Sequence, residues 1–121
     1  MDGEIEPDQL ESELDRADPP VIVDIRTPDV YRQAHIPDSV NVPLSQLTRE
    51  VEAVADADHV VTVCPHGKAS IKAARLISAY EGFDGRVESL AGGLTAWDGP
   101  IERDEAIAGE ASASDTPDAP F

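Results

Sequence analysis

Two spacings of apolar residues alternate along this chain. The runs "VIVDI", "SVNVP", "HVVTVC" and "GRVESL" are short and rich in Val and Ile, as in strands buried within a sheet. Between them the apolar residues recur every three or four positions. Leu10 and Leu14 share one helical face, and Leu44, Leu47, Val51 and Val54, spaced 3, 4 and 3, form another stripe. "KASIKAARLISAY" carries the wide apolar face expected of a helix lying on a sheet. With "EIEP" as a short edge strand, this order predicts an α/β domain with a mainly parallel sheet.

Punctuation residues place the ends. Pro7 suits the first turn of a small helix, and Thr27-Pro28 reads as an N-cap followed by the first helical residue, opening a helix through Ala34. Gly82 is placed to cap the long helix. "AGG" predicts a tight turn into a short helix ending near Trp97, which packs that helix over the sheet.

Composition narrows the function. The 121 residues fit one domain of about 100–150 residues. Beyond Pro100, "ERDEAIAGEASASDTPDAPF" is poor in residues to bury, so the expected division is a folded domain over 1–101 and a disordered acidic tail over 102–121. The net charge is −16; the tail, with six acids and one base, carries −5 of it and the domain −11. Phosphate backbones demand a positive footprint, so nucleic acid is excluded as a partner. Such a surface suits a salt-rich cytoplasm, where screening relieves carboxylate repulsion. The N-terminus has no basic, apolar leader pattern and no apolar run approaches a membrane span, so a soluble, cytoplasmic protein is expected. A single cysteine offers neither an internal disulfide nor a paired zinc site, and no metal or cofactor is expected.

That cysteine, Cys64, ends a buried strand and opens the loop "CPHGKA" before a helix. A parallel sheet places ligands beyond the carboxyl ends of its strands. One reading of Cys64 is a small buried hydrophobe. The other is a thiolate stabilised by loop amides and the positive end of the helix dipole. Gly67, the basic residues nearby and the immediate helix start favour the thiolate. Pro65 has no N–H to give, whereas the amides of His66 and Lys68 are available. Gly67 keeps a Cβ out of the cradle. The chain's two lysines, Lys68 and Lys72, both follow Cys64 and share a helical face with Arg75, a cationic strip suited to attracting anions.

Three separated motifs, "VDIRTPDVYRQAHIPDSVNVP", "CPHGKAS" and "LAGGLTAW", resemble the single-domain rhodanese-like family over residues 3–100. The resemblance implies a rhodanese-like fold, a mainly parallel sheet of about five strands flanked by helices on both faces. It also implies a sulfurtransferase working by ping-pong through a persulfide on Cys64. The substrate loop would be Pro65, His66, Gly67, Lys68, Ala69 and Ser70, with Asp24, Arg26 and Lys72 in support. Asp24 is expected to tie loops together by accepting backbone N–H bonds, Arg26 to pair with an acid near the pocket, and His35 to be structural. The donor implied is a small sulfur anion, thiosulfate or a persulfide, and the acceptor an outside thiol, cyanide or a protein. Departures fall at Ala34 and Asp38, where the family usually has Gly, at Ala69, which lacks a hydroxyl, and at Pro65, where some thiosulfate-using members are basic.

Three other functions compete. A cysteine phosphatase would need Arg six positions after the nucleophile, where this chain has Ser70. A non-catalytic binding or regulatory module on the same fold would not need Cys64. A sulfur-relay carrier for thio-cofactor or tRNA thiolation needs the same persulfide and differs only in its acceptor.

Overall fold

The computed structural model describes residues 2–103. The expected tail lies outside the described residues from position 104 onward.

The strands are β1 (Asp2–Ile5), β2 (Val21–Asp24), β3 (Val40–Asn41), β4 (His59–Val63) and β5 (Arg86–Leu90). They form one parallel sheet in the order β1-β5-β4-β2-β3. The most apolar run, "HVVTV", is therefore the central strand, and its last four residues are all buried. A central parallel strand is covered on both faces, which explains its β-branched composition.

Alternation along the strands sends side chains to two cores. Val23, Val60 and Val87 face helix α4 (Ala69–Ala79) and the segment from Leu47 to Val54, together with Cys64, Ala73, Ala74 and Ile77. Ile22, Val61, Val63 and Leu90 face the other way, against Leu10 of α1 (Pro7–Leu14) and Trp97. The Trp97 indole N–H donates to the Pro100 carbonyl at 3.0 Å, fastening the end of the fold over this second core. Helices thus cover both faces. Glu102 forms an antiparallel bridge with His35, so the chain stays tied to the body one residue past the expected boundary.

Local differences from the sequence pattern have physical causes. The stripe from Leu44 to Val54 is not one helix: it runs as a 3₁₀ turn (Leu44–Gln46), a single α turn, α3 (Leu47–Glu50), and a second 3₁₀ turn (Val51–Val54). No side chain caps any of the three, and segments this short draw their stability from burial rather than helix propensity. The apolar spacing gave the buried face correctly, but the single helix it predicts is broken into three short turns. Helix α2 (Pro28–Gln33) starts after Thr27 as expected, but the Thr27 hydroxyl makes no capping bond. Helix α4 ends at Ala79 with Tyr80 in extended backbone; Gly82 lies beyond it and has no positive φ.

Asp38, with φ 66, is the only non-glycine residue with positive φ among the described residues. Its side chain is exposed and makes no hydrogen bond among those residues. Asp38→Gly is expected to stabilise the fold by about 0.5–1 kcal/mol. Relief of left-handed strain offsets the larger entropy of an unfolded glycine. A urea titration checks this; destabilisation would show that the turn carries no such strain.

Candidate active site

Cys64 directly follows the central strand, and the chain then curls back over its own sulfur. Gly67 has φ 81, in the left-handed region, which reverses the loop. The Gly67 N–H then donates to Cys64 Sγ at 3.1 Å, and the Ser70 N–H, in the first turn of α4, donates at 3.3 Å. Ser70 Oγ stands 3.3 Å from the sulfur. These groups are buried, and Cys64 itself is 2 % exposed.

Two opposing effects set the charge of this thiol. Burial pushes it towards the neutral form. The Ser70 hydroxyl, then the amides of Ser70, Gly67 and His66, favour the thiolate, and the net result lies below the ordinary cysteine value. The rate of Cys64 alkylation by iodoacetamide is accordingly expected to reach half its plateau at a pH below that of a free cysteine. A midpoint at or above the free value would mean that burial dominates.

A second turn holds the loop in place. After β5, Gly92 and Gly93 both have positive φ (73 and 64), and a 3₁₀ turn, Gly93–Ala96, follows. The Leu94 N–H donates to the Cys64 carbonyl at 2.9 Å and the Thr95 N–H to the Pro65 carbonyl at 3.0 Å. A Cβ on Gly93 would run into the Cys64 carbonyl oxygen and the Gly67 nitrogen. The Gly-Gly turn therefore clamps the cysteine loop, a contact between segments about 30 residues apart that the sequence pattern did not show.

The other sequence-derived candidates fall around this centre. Pro65, His66, Lys68 and Ala69 form an exposed rim. The amides acting on the sulfur are those of Gly67, Ser70 and His66; the Lys68 amide, expected among them, has no such bond. The Lys68–Lys72–Arg75 strip divides across α4. Lys72 borders a groove with Thr27, Pro43 and Leu44, whereas Arg75 lies towards Gly3 and Glu4 of β1. Residues three apart on a helix point about 60° apart, enough to separate them onto the two flanks. Lys72 makes no contact with the sulfur.

Asp24 and Arg26 form a bidentate pair, with Nε to Oδ1 at 2.9 Å and Nη2 to Oδ2 at 2.7 Å. Asp24 also accepts the Arg26 backbone N–H at 3.0 Å, and Arg26 Nη2 donates to the Ala34 carbonyl at 2.6 Å. Asp24 is 1 % exposed and shares strand parity with Ile22, so it faces the α1 side. Cys64 belongs to the α4 side. The pair shapes the β2–α2 loop and is not directed at the sulfur. His35 donates from Nδ1 to the Tyr31 carbonyl at 2.7 Å and stacks on the Tyr31 ring.

Two buried hydroxyls were missed. Thr62 donates to the Ser70 carbonyl at 2.7 Å, and Ser89 Oγ lies 2.6 Å from Ser70 Oγ. A signal existed: Thr62 and Ser89 are polar positions inside apolar strands, on the face whose other members are Val60 and Val87. They are partners across the β4–β5 ladder.

A family model described as Rhodanese-like domain matches residues 6–99. The chain belongs to the rhodanese-like domain family. This rhodanese-like chain is 32 % identical over 97 residues to a protein named sulfurtransferase from Allochromatium vinosum, covering 80 % of this chain and 89 % of that one. It is 35 % identical over 85 residues to the thiosulfate sulfurtransferase GlpE of Pseudoalteromonas translucida, covering 70 % and 78 % respectively. Among solved structures, a rhodanese-like domain protein from Staphylococcus aureus superposes with a TM-score of 0.75 at 26 % identity, over 84 % of this chain and 98 % of that one. Among the described residues no cluster of side chains could hold a metal ion, and no helix is long and apolar enough to cross a membrane.

Proposed function

We propose that this protein is a sulfurtransferase that carries sulfane sulfur as a persulfide on Cys64. The convergence of two N–H groups and one hydroxyl on Sγ carries the reading; the names of its relatives support it. The Cys64 thiolate attacks the outer sulfur of thiosulfate. A new S–S bond forms, the sulfur–sulfur bond of the donor breaks, and sulfite leaves with the electron pair. The loop amides stabilise the negative charge that passes to the outer sulfur, as in an oxyanion hole. An acceptor nucleophile then attacks that outer sulfur, and the electron pair of the broken bond returns to Cys64 as thiolate.

Cys64 is the only cysteine in the 121 residues, so the acceptor is supplied from outside them: a thiol, cyanide or an acceptor protein. Its 2 % exposure restricts the reacting end of donor and acceptor to a slim group. Ser70 stands where a phosphatase loop needs a guanidinium, and it is turned onto the sulfur, which argues against phosphoryl transfer. A lone unpaired thiol suits a reducing, cytoplasmic setting.

The test is intact mass after thiosulfate in concentrated KCl without reductant, for wild type and Cys64→Ser in parallel. One added sulfur is expected on wild type only, discharged by cyanide as thiocyanate. A wild type that gains no sulfur from thiosulfate or from an organic persulfide would leave the non-catalytic module as the better function. With a charge of −16, the fold is also expected to melt several degrees higher in molar KCl than in dilute buffer; equal melting temperatures would remove the salt-adapted reading.

A further inference from the structure

Ser89 touches neither solvent nor the reacting sulfur, yet it ends a buried chain of three groups. Its Oγ is 2.6 Å from Ser70 Oγ, which is 3.3 Å from Cys64 Sγ. Ser70 and Ser89 are both 0 % exposed. A hydroxyl has one proton to give and lone pairs to receive, so the chain can run in two directions.

In one direction Cys64 S–H donates to Ser70 and Ser70 donates to Ser89. The Ser89 proton then has no acceptor, because Ser70 Oγ is the only partner of Ser89 Oγ among the described residues. Its ladder neighbour Thr62 donates to the Ser70 carbonyl and makes no hydrogen bond with Ser89 Oγ among the described residues. A buried donor left without an acceptor is costly. In the other direction Ser89 donates to Ser70 and Ser70 donates to Sγ. Every proton now has an acceptor, and the sulfur, as thiolate, receives the Ser70 hydroxyl with the amides of Gly67 and Ser70.

We propose that Ser89 is a positioning residue: by having Ser70 Oγ as its sole acceptor it turns the Ser70 O–H onto Cys64 and holds the sulfur as thiolate. This rests on Cys64 being the nucleophile. Charged groups nearby do not take over the task. His66 and Lys68 sit on the exposed rim, Lys72 and Arg75 lie on the flanks of α4, and Asp24 is held by Arg26. Glu88, beside Ser89, turns to His59 at 2.7 Å.

The experiment follows alkylation of Cys64 by iodoacetamide across a pH series in wild type, Ser89→Ala, Ser70→Ala and the double variant. The label reads one residue, since the chain has one cysteine. Ser89→Ala is expected to slow alkylation about fivefold below the midpoint, and Ser89→Thr, which keeps the hydroxyl, to restore the wild-type profile. In the Ser70→Ala background the Ser89→Ala change is expected to add less than about twofold, because its effect passes through Ser70. The double variant is expected to melt higher than Ser70→Ala alone, which strands the Ser89 hydroxyl without a partner. A wild-type profile for Ser89→Ala, independent multiplying effects, or a double variant that melts below Ser70→Ala would each overturn the proposal. None of these readouts needs sulfur transfer, so a wild type that fails to take up sulfur sinks the proposed function while this proposal is still tested.

Discussion

Gly93→Ala is expected to cost about 3 kcal/mol or more of stability and to return Cys64 to slow, cysteine-like alkylation. Three effects add. The residue has φ 64, and an L-residue held in the left-handed region costs about 1–2 kcal/mol. Its new Cβ would lie 2.5 Å from the Gly67 nitrogen and 2.6 Å from the Pro65 carbonyl carbon. Both are backbone atoms, which cannot rotate aside. Relief of the clash must part the two turns, lengthening the Leu94 and Thr95 N–H bonds to the Cys64 and Pro65 carbonyls, each bond contributing about 1 kcal/mol. Gly82→Ala is the comparison: its Cβ meets only the Tyr80 ring, a side chain able to move. Urea titrations and the alkylation profile check both. A Gly93→Ala protein within about 1 kcal/mol of wild type, with its alkylation unchanged, would show that the Gly-Gly turn is not the clamp.

Arg26→Ala should be nearly as damaging, by a different route. Asp24 is 1 % exposed and the Arg26 side chain 10 %. Removing the guanidinium leaves a buried carboxylate with the Arg26 backbone N–H as its remaining donor at 3.0 Å. Breaking a buried pair on one side typically costs about 3–5 kcal/mol, more than the pair itself contributes. Arg26→Lys should recover only part, because an ammonium cannot bond both carboxylate oxygens and the Ala34 carbonyl with the same planar fork. The double variant Asp24→Ala/Arg26→Ala, with no buried charge left, is expected to be more stable than Arg26→Ala. Thermal melts of the three decide it. A double variant less stable than the single would mean that the pair is net stabilising beyond the cost of stranding Asp24.

These two sites differ in how far the chain announces them. Arg26 and Asp24 lie two residues apart at the end of "VIVDI", and their mutual pairing is local geometry. That they face away from the sulfur is seen only in the folded strand, where Asp24 shares parity with Ile22, against their expected place in support of the cysteine loop. The clamp is another matter. "AGG" announces a turn, but nothing in its composition says that the turn rests on residues 64 to 67.

Local pattern alone was enough for the sheet strands, the apolar faces of the helical segments and the position of Cys64 at the end of the strand that becomes central. All of these rest on short-range pattern: Val- and Ile-rich runs in the strands and spacings of three to four in the helices. Even the broken segment from Leu44 to Val54 kept its apolar face, because burial follows side-chain spacing whichever helix type the backbone adopts. Which atoms meet the sulfur, and what holds them, depends on long-range contacts. Ser89 reaches Ser70 because β5 pairs with β4 in the register that sets Ser89 beside Thr62. Gly93 reaches Cys64 because the next turn of chain crosses the open end of that same pair. Register and crossing are set by packing between residues far apart in sequence, and no local periodicity records them.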